Sequence, residues 1–185
     1  LVTPFMSIAS EIINPLETYK TIGWIMQTLS DYPEADYYLK RALKYCKPES
    51  VNYAAILDNY GINLYKTRRY QEALKQFHKS GLIALKINDS LRYAKTLGNK
   101  ALVYEEQNKF AEAIQLLKED IALSERLKES KNKMFASIAL ARIYLKNNNL
   151  SDAQAILTEA EKIAVSKSYF RKSELEIIKL KLELL

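Results

Sequence analysis

Apolar and small side chains recur along this chain at the spacing of one helix face. Residues 97–121 are the clearest example, because they contain two such runs separated by a few polar residues. This pattern predicts two helices joined by a tight turn. Two helices approach closely only where a side chain lacks bulk, so we expect Ala101 of the first helix to contact Ala113 of the second. The repeating positions are Ala101, Tyr104, Phe110, Ala113, Leu117 and Ile121.

The same pattern occurs four times. Its reference position is an alanine near the start of each second helix, and successive copies are separated by 38, 40 and 40 residues. Self-similarity at a nearly fixed period indicates a repeat protein. Three further positions keep the same distance from the reference alanine in every copy. The four columns are Gly23, Gly61, Ala101 and Ala141; Tyr32, Tyr70, Phe110 and Leu150; Ala35, Ala73, Ala113 and Ala153; and Leu39, Phe77, Leu117 and Leu157.

This unit resembles the tetratricopeptide repeat, whose pattern is W-x2-L-G-x2-Y…A-x3-F…P. The resemblance covers about residues 16–170. It implies an all-α fold, a right-handed superhelical α-solenoid of antiparallel helix pairs. The period exceeds the family's usual length of about 34 residues. The extra residues imply longer helices or looser tips, as in the members of the family found in bacterial peptide receptors and signalling proteins. The family's tryptophan is replaced by Tyr19, Leu57, Leu97 and Ser137, and its closing proline survives only as the displaced Pro48.

Capping and stop signals divide the chain into four repeats with flanking helices. We expect repeats at residues 16–49, 50–88, 89–130 and 131–168, with the remnant of a preceding helix at 1–15 and a terminal helix at 169–185. Because the sequence begins with leucine and not with methionine, we interpret the whole as one domain from a longer protein.

The terminal helix is apolar on two faces, whereas the last helix of a repeat protein is normally polar on its outer side. We therefore expect this end to pack on a further repeat or to make a contact between two copies of the chain. The two apolar stripes are Leu175, Ile178 and Leu182, and Ile177, Leu180 and Leu184.

The chain is basic, with a net charge of +6 and a pI near 9.2, which raises the question of nucleic-acid binding. Its basic residues are scattered among acidic ones, as in residues 118–126. Such mixing indicates solvated helix faces and argues against a nucleic-acid surface. No apolar run approaches the length of about 20 residues that crosses a bilayer, so we expect no membrane segment here.

Catalytic and metal-binding chemistry has no support in the sequence. The single cysteine, Cys46, has no partner for a disulfide or a metal site, and we interpret it as a half-buried helix residue. The only histidine, His78, is expected on the surface. There is no glycine-rich phosphate loop, and the carboxylates at 105–106 and 159–161 are expected on salt-laced outer faces. We therefore predict a protein that is not an enzyme and uses no metal or cofactor.

Polar residues beside the small-residue column suggest a binding surface on the first helix of each pair. Asn59 and Asn99 stand two positions before that column in the second and third repeats. An asparagine amide can donate to a peptide carbonyl while it accepts from a peptide N–H. This predicts that the first helices bind an extended peptide or protein segment.

The resemblance adds a more specific possibility. Some tetratricopeptide domains bind a C-terminal carboxylate, and Lys20, Asn59 and Lys95 match three positions of that clamp. Trp24 and Asn99 stand where the clamp has an asparagine and an arginine. The resemblance therefore implies a partial carboxylate clamp, next to the broader hypothesis of a peptide ligand.

Trp24 and Arg142 lie beside the same column in the outer repeats. Tryptophan and arginine often dominate binding energy at protein interfaces. For Trp24 two interpretations stay open: it contacts a ligand, or it fills the gap between the first two helices.

Our leading hypothesis is a non-catalytic module that binds a protein or peptide, as the sensory or scaffolding part of a bacterial signalling or regulatory protein. The last clause rests on the resemblance. Two alternatives stay open: a structural assembly module that forms homo-oligomers through its apolar ends, and a basic helical repeat that binds nucleic acid. The sequence leaves the ligand and the cellular compartment open, with the cytoplasm slightly favoured.

Overall fold

The computed structural model describes residues 14–165 together with residues 176, 177, 179–181 and 184. Within these residues every regular element is helical, which confirms the predicted all-α fold class. No helix in this part of the chain is both long and apolar enough to cross a membrane. The helices are α1 (Pro15–Thr28), α2 (Tyr32–Tyr45), α3 (Val51–Lys66), α4 (Tyr70–Lys86), α5 (Ser90–Glu106), α6 (Phe110–Arg126), α7 (Ser130–Lys146) and α8 (Leu150–Val165).

The chain divides into two compact units, Leu1–Asn88 and Asp89–Leu185. In the first unit α1 packs against α2 and α3 packs against α4, and contacts between α2 and α3 join the two pairs. In the second unit α5 packs against α6 and α7 against α8, and contacts between α6 and α7 join these pairs. Consecutive helices thus form the pairs that the repeat pattern predicts.

Each connection between these helices contains one non-glycine residue in the left-handed region, with φ between 54° and 63°. In five of the turns the next residue donates its N–H to a carbonyl of the preceding helix, as Arg69 does to Leu64 at 2.8 Å. This bond satisfies a carbonyl that the helix end would otherwise leave free. The left-handed residues are Ser30, Glu49, Arg68, Asn88, Asn108, Lys128 and Asn148.

The helix lengths explain the long period. Two helices of 17 residues, α5 and α6, and the three-residue turns at 107–109 and 127–129 fill the 40-residue period from residue 90 to residue 129. The residues beyond the family's usual period therefore lengthen the helices, and the turns stay short.

The small-residue columns lie where the helices of each pair meet. The four reference alanines, Ala35, Ala73, Ala113 and Ala153, are all 0% exposed. At Gly61 a Cβ atom would lie 2.4 Å from Cε1 of the buried Phe77 ring, which is closer than real Cβ contacts come. The third and fourth repeats have Ala101 opposite Leu117 and Ala141 opposite Leu157. In the first repeat Gly23 accompanies Leu39, and a Cβ there would lie 2.9 Å from the leucine side chain.

The described C-terminal residues complete the core of the second unit. Ile177 and Leu180 are buried at 1% and 5% exposure and pack with residues of α7 and α8, among them Met134 and Leu157. Leu184 is partly buried against the same core. This stripe is therefore covered by helices of the same unit, and we had expected it to be open to a further repeat or a second copy. The stripe of residues 175, 178 and 182 and the predicted N-terminal helix of residues 1–13 lie outside the described residues.

The single cysteine is buried and the single histidine is exposed. Cys46 is buried at 6% exposure and directly follows α2, whereas we expected it half-buried within a helix. His78 is exposed on α4, as predicted. Among the described residues no three His, Cys, Asp or Glu side chains form a group that could hold a metal ion.

A buried carboxyl group interrupts the apolar packing of the second unit. Asp120 of α6 is 2% exposed and accepts hydrogen bonds from Asn132 Nδ2 at 2.6 Å and Ser124 Oγ at 3.1 Å. Gly98 of α5 leaves room for it, since a Cβ at Gly98 would lie 2.8 Å from Asp120 Oδ2. Burial raises the pKa of the Asp120 carboxyl from its ordinary 3.8 to about 7, although the hydrogen bonds from Ser124 and Asn132 favour the ionised form. The other repeats have Ala42, Ser80 and Ala160 at this position.

The Gly61–Phe77 contact gives a first prediction. We expect Gly61→Ala to destabilise the chain by about 1–3 kcal/mol, because the added methyl group collides with a buried ring. Phe77→Leu alone should also destabilise it, since it leaves a gap beside the glycine. The double variant recreates the Ala–Leu pair of the third and fourth repeats. Its loss in unfolding free energy, measured by urea denaturation, should be clearly smaller than the sum of the two single losses, and an additive result would contradict the proposed fit.

Asp120 gives a second prediction, on pH dependence. Between about pH 4 and pH 7 the unfolded carboxyl is ionised while the folded one stays protonated, so stability from this group is present at low pH and is lost as the pH rises to about 7. We expect Asp120→Asn to remove this loss. The unfolding free energy of the variant relative to the unaltered chain should be higher at pH 8 than at pH 5, by up to about 3 kcal/mol.

Urea denaturation followed by circular dichroism at the two pH values measures this difference. Glu112→Gln is the control, since it neutralises an exposed carboxylate on the same helix, and it should shift the comparison little. An Asp120→Asn effect of equal size at pH 5 and pH 8 would show that the carboxyl does not titrate in this range.

Candidate binding residues on the first helices

The six predicted binding residues all lie on the first helix of a pair. Three belong to the first unit, with Lys20 and Trp24 on α1 and Asn59 on α3. The other three belong to the second unit, with Lys95 and Asn99 on α5 and Arg142 on α7.

In the first unit the contact between α1 and α3 positions Asn59. Gln27 of α1 donates from Nε2 to the backbone carbonyl of Asn59 at 2.6 Å. The Asn59 side chain is half-buried and makes no hydrogen bond to another described residue. Its amide therefore stays available to a ligand while the backbone beneath it is fixed. Gln27 was not among the predicted binding residues, although it stands four residues after Gly23 of the small-residue column.

Trp24 lies on the surface of α1 and is 56% exposed. It does not fill the gap between the first two helices, which was one of our two interpretations. Residues three apart on a helix share a face, so Trp24 lies on the same side of α1 as Gln27, the residue that contacts α3. The first unit thus has an exposed tryptophan on the side of α1 that contacts α3, and α3 has an asparagine whose amide makes no hydrogen bond to another described residue.

Lys20 lies one turn before Trp24 on α1. Its ammonium group is paired with Glu17, with Nζ 2.6 Å from Oε2. An exposed pair of this kind contributes little to stability, so an incoming carboxylate could replace Glu17. Lys20 remains a predicted ligand contact on these grounds.

In the second unit Lys95 and Asn99 lie one turn apart on α5. Lys95 is exposed and Asn99 is half-buried, and neither side chain makes a hydrogen bond to another described residue. The lysine ammonium can donate to a carboxylate or to a backbone carbonyl, and the asparagine amide can both donate to and accept from a peptide backbone. These two residues therefore remain candidates, as a group within the second unit.

Arg142 has a different environment, because intramolecular carboxylates surround its guanidinium group. Nε and Nη2 donate to the two carboxylate oxygens of Glu105, each at 2.9 Å, and Nη1 donates to Glu176 at 3.3 Å. Lys146 also donates to Glu105, at 2.6 Å. The network connects α5, α7 and the C-terminal residues. Arg142 therefore holds helices together, a role that the sequence analysis did not consider.

Glu105 at the centre of this network is nearly inaccessible, with 3% of its side chain exposed. Burial by itself would raise the pKa of this carboxyl, but the hydrogen bonds from Arg142 and Lys146 outweigh it and hold the pKa below its ordinary value. We expected residue 105 on a salt-laced outer face, and this is wrong. The alignment of repeats could have indicated this contact. It places Glu105 of the third repeat level with Leu145 of the fourth, three residues after Arg142 and one before Lys146.

Comparison with known proteins agrees with the repeat pattern. Residues 52–126 match the family model of the tetratricopeptide repeat. No curated protein matches the chain.

Several solved structures have the same fold at low sequence identity. The apo form of RapI is 23% identical, with a TM-score of 0.77 over 87% of this chain and 61% of RapI. A Podosopora anserina putative kinesin light chain with nearly identical TPR-like repeats is 18% identical, with a TM-score of 0.71 over 93% of this chain and 88–89% of that protein. A Rap protein complexed with Competence and Sporulation Factor is 15% identical, with a TM-score of 0.79 over 91% of this chain and 47% of that protein.

These likenesses concern the fold. The chain spans 61% of RapI and about half of the Rap protein in the complex. Its helix pairs, its small-residue columns and the family match point to one conclusion. The chain has a tetratricopeptide-like helical-repeat fold, and its residues 52–126 match the tetratricopeptide repeat family.

Proposed function

We propose that this chain is a non-catalytic module that binds a protein segment or peptide through the first helices of its pairs. The observation that carries the proposal is the hydrogen bond from Gln27 to the Asn59 backbone, which joins the helix of the exposed Trp24 to the helix of an asparagine whose amide makes no hydrogen bond to another described residue. A large aromatic surface beside a donor and acceptor pair suits a peptide, which offers apolar side chains and a polar backbone. Lys95 and Asn99 supply a second polar group, in the other unit.

The structural neighbours support a role in protein interaction. One of them is a Rap protein in complex with Competence and Sporulation Factor, and another is a putative kinesin light chain. By analogy we propose that this module is the sensory or scaffolding part of a larger signalling or regulatory protein. A narrower version of the same proposal is a partial carboxylate clamp to which Lys20 and Asn59 contribute within the first unit. Lys95 is proposed separately, as a ligand contact of the second unit.

A selection from a displayed library of random peptides tests this function. The unaltered chain should enrich a set of related peptides, and the synthetic form of the best peptide should bind in isothermal titration calorimetry. Asn59→Ala combined with Asn99→Ala removes the amide from the polar group of each unit. It should weaken that binding about fivefold or more, because the hydrogen bonds lost from whichever group binds the peptide are worth about 1 kcal/mol. Trp24→Ala should weaken it further.

The matched control is Gln71→Ala combined with Gln115→Ala. It also removes one exposed amide from each unit, but from the second helices α4 and α6. This control should bind the selected peptide as the unaltered chain does. Equal binding by the Asn59→Ala, Asn99→Ala variant would contradict the proposal that the first helices bind the peptide.

A further inference from the structure

A second surface of the second unit has the form of a ligand site. A cleft of about 430 Å³ lies between the second helices α6 and α8, and α7 forms its floor. Ligand pockets in proteins commonly have volumes of about 300–1,000 Å³ and mostly apolar walls. We name it the α6–α8 cleft, and its apolar lining consists of Ile121 and Ala122 of α6, Leu140 and Tyr144 of α7, and Ala155 and Ile156 of α8.

Two alanines account for the open space. Ala122 and Ala155 line the two walls of the cleft. Both are exposed although they adjoin the apolar floor. The first unit provides an internal comparison. At its equivalent positions Lys44 replaces Ala122, Lys75 replaces Ala155 and Gln76 replaces Ile156. The apolar lining of the cleft is therefore a feature of these two repeats and does not follow from helix pairing alone.

The charged residues around the cleft are mainly acidic. Glu125, Asp152 and Glu159 border it, and Lys118 is the one basic residue among the described residues that line it. At one end Glu125 and Glu159 share a single ammonium group, since Lys133 Nζ lies 3.1 Å from the first and 3.8 Å from the second. The Lys133 side chain is 18% exposed, whereas the two carboxylates are 67% and 52% exposed.

Both charged residues that line this end of the cleft are therefore carboxylates, although the chain as a whole carries a net charge of +6. Lys133 and Lys162 lie beside them outside the lining, and the exposed Lys162–Glu159 pair, at 4.0 Å, contributes little and can be replaced by a cation of a ligand. At the other end Lys118 Nζ lies over the Tyr144 ring at 6.0 Å, and Asp152 accepts a hydrogen bond from Asn149 at 2.7 Å.

We propose that the α6–α8 cleft binds a short basic peptide segment of a partner protein. A bulky aliphatic or aromatic side chain of the segment enters between Ala122 and Ala155, and its apolar surface is buried against Leu140 and Tyr144. A neighbouring lysine or arginine of the segment pairs with Glu125 and Glu159. This site lies on second helices and is separate from the first-helix residues of the proposed function, so the chain has room for two ligands.

The test uses a synthetic peptide with two central leucines flanked by lysines. Two matched peptides replace the leucines by serines or the lysines by glutamates. In methyl NMR spectra of the whole chain, the lysine–leucine peptide should shift the signals of Ile121, Ala122, Ala155 and Ile156. It should bind at least tenfold more tightly than either matched peptide.

Ala122→Lys combined with Ala155→Lys fills the cleft with the side-chain type that the first unit has at these positions. Lysine is a good helix former and both sites are exposed, so the variant should fold, and circular dichroism checks this. We expect the variant to lose at least tenfold in affinity for the lysine–leucine peptide. Ala111→Lys combined with Thr158→Lys adds the same charge to exposed sites of α6 and α8 outside the cleft lining, and its affinity should change less than twofold.

Three results would overturn the proposal: no methyl shifts at the cleft, equal binding of the serine peptide, or equal losses in the two lysine variants. The Asn59→Ala, Asn99→Ala variant separates this site from the proposed function. It should bind the lysine–leucine peptide as the unaltered chain does. Failure of the cleft test would leave the first-helix proposal standing, and failure of the first-helix test would leave the cleft standing.

Discussion

The close approach of the two helices within each pair is the contact on which the rest of the fold depends. Helix axes can approach only where side chains are small, and the buried reference alanines and the opposing glycine or alanine provide this in all four pairs. In the second repeat Gly61 leaves room for the ring of Phe77, while in the third Ala101 accompanies the smaller Leu117. Once the pairs are closed, short turns with one left-handed residue follow from the same geometry in every repeat.

The second unit departs from this apolar plan at two buried carboxyl groups, and the protein satisfies them in different ways. Glu105 stays ionised, because Arg142 and Lys146 surround it with donors and positive charge. Asp120 has neutral donors, and burial therefore favours its protonated form near neutral pH. A buried charge is tolerated only when it is paired, which explains why one carboxyl connects helices while the other depends on pH.

Regular pairing also leaves two kinds of surface with distinct chemistry. The first helices present an aromatic ring and amide groups, as at Trp24 and Asn59, which suit the backbone and side chains of an extended peptide. The second helices α6 and α8 present an apolar cleft with acidic borders, which suits an apolar side chain next to a cation. Both surfaces depend on residues that vary between the repeats, while the nearly constant spacing of small residues keeps the helix pairing the same in every repeat.

The periodicity of small and apolar residues was enough to predict the helix pairs. Each repeat has to bury one face on its neighbours, so its contact residues recur at a fixed spacing in the sequence. It could not predict the environment of single polar residues. The repeat pattern indicated Arg142 as a ligand contact but did not indicate its pairing with Glu105. It also indicated an open apolar stripe at Ile177 and Leu180, which α7 and α8 cover. The sequence by itself determined the repeat and its helices, since these depend on local spacing. Only the tertiary structure decided which charges pair, which carboxyl is buried and where a cleft opens, because those depend on distances between residues that are far apart in the chain.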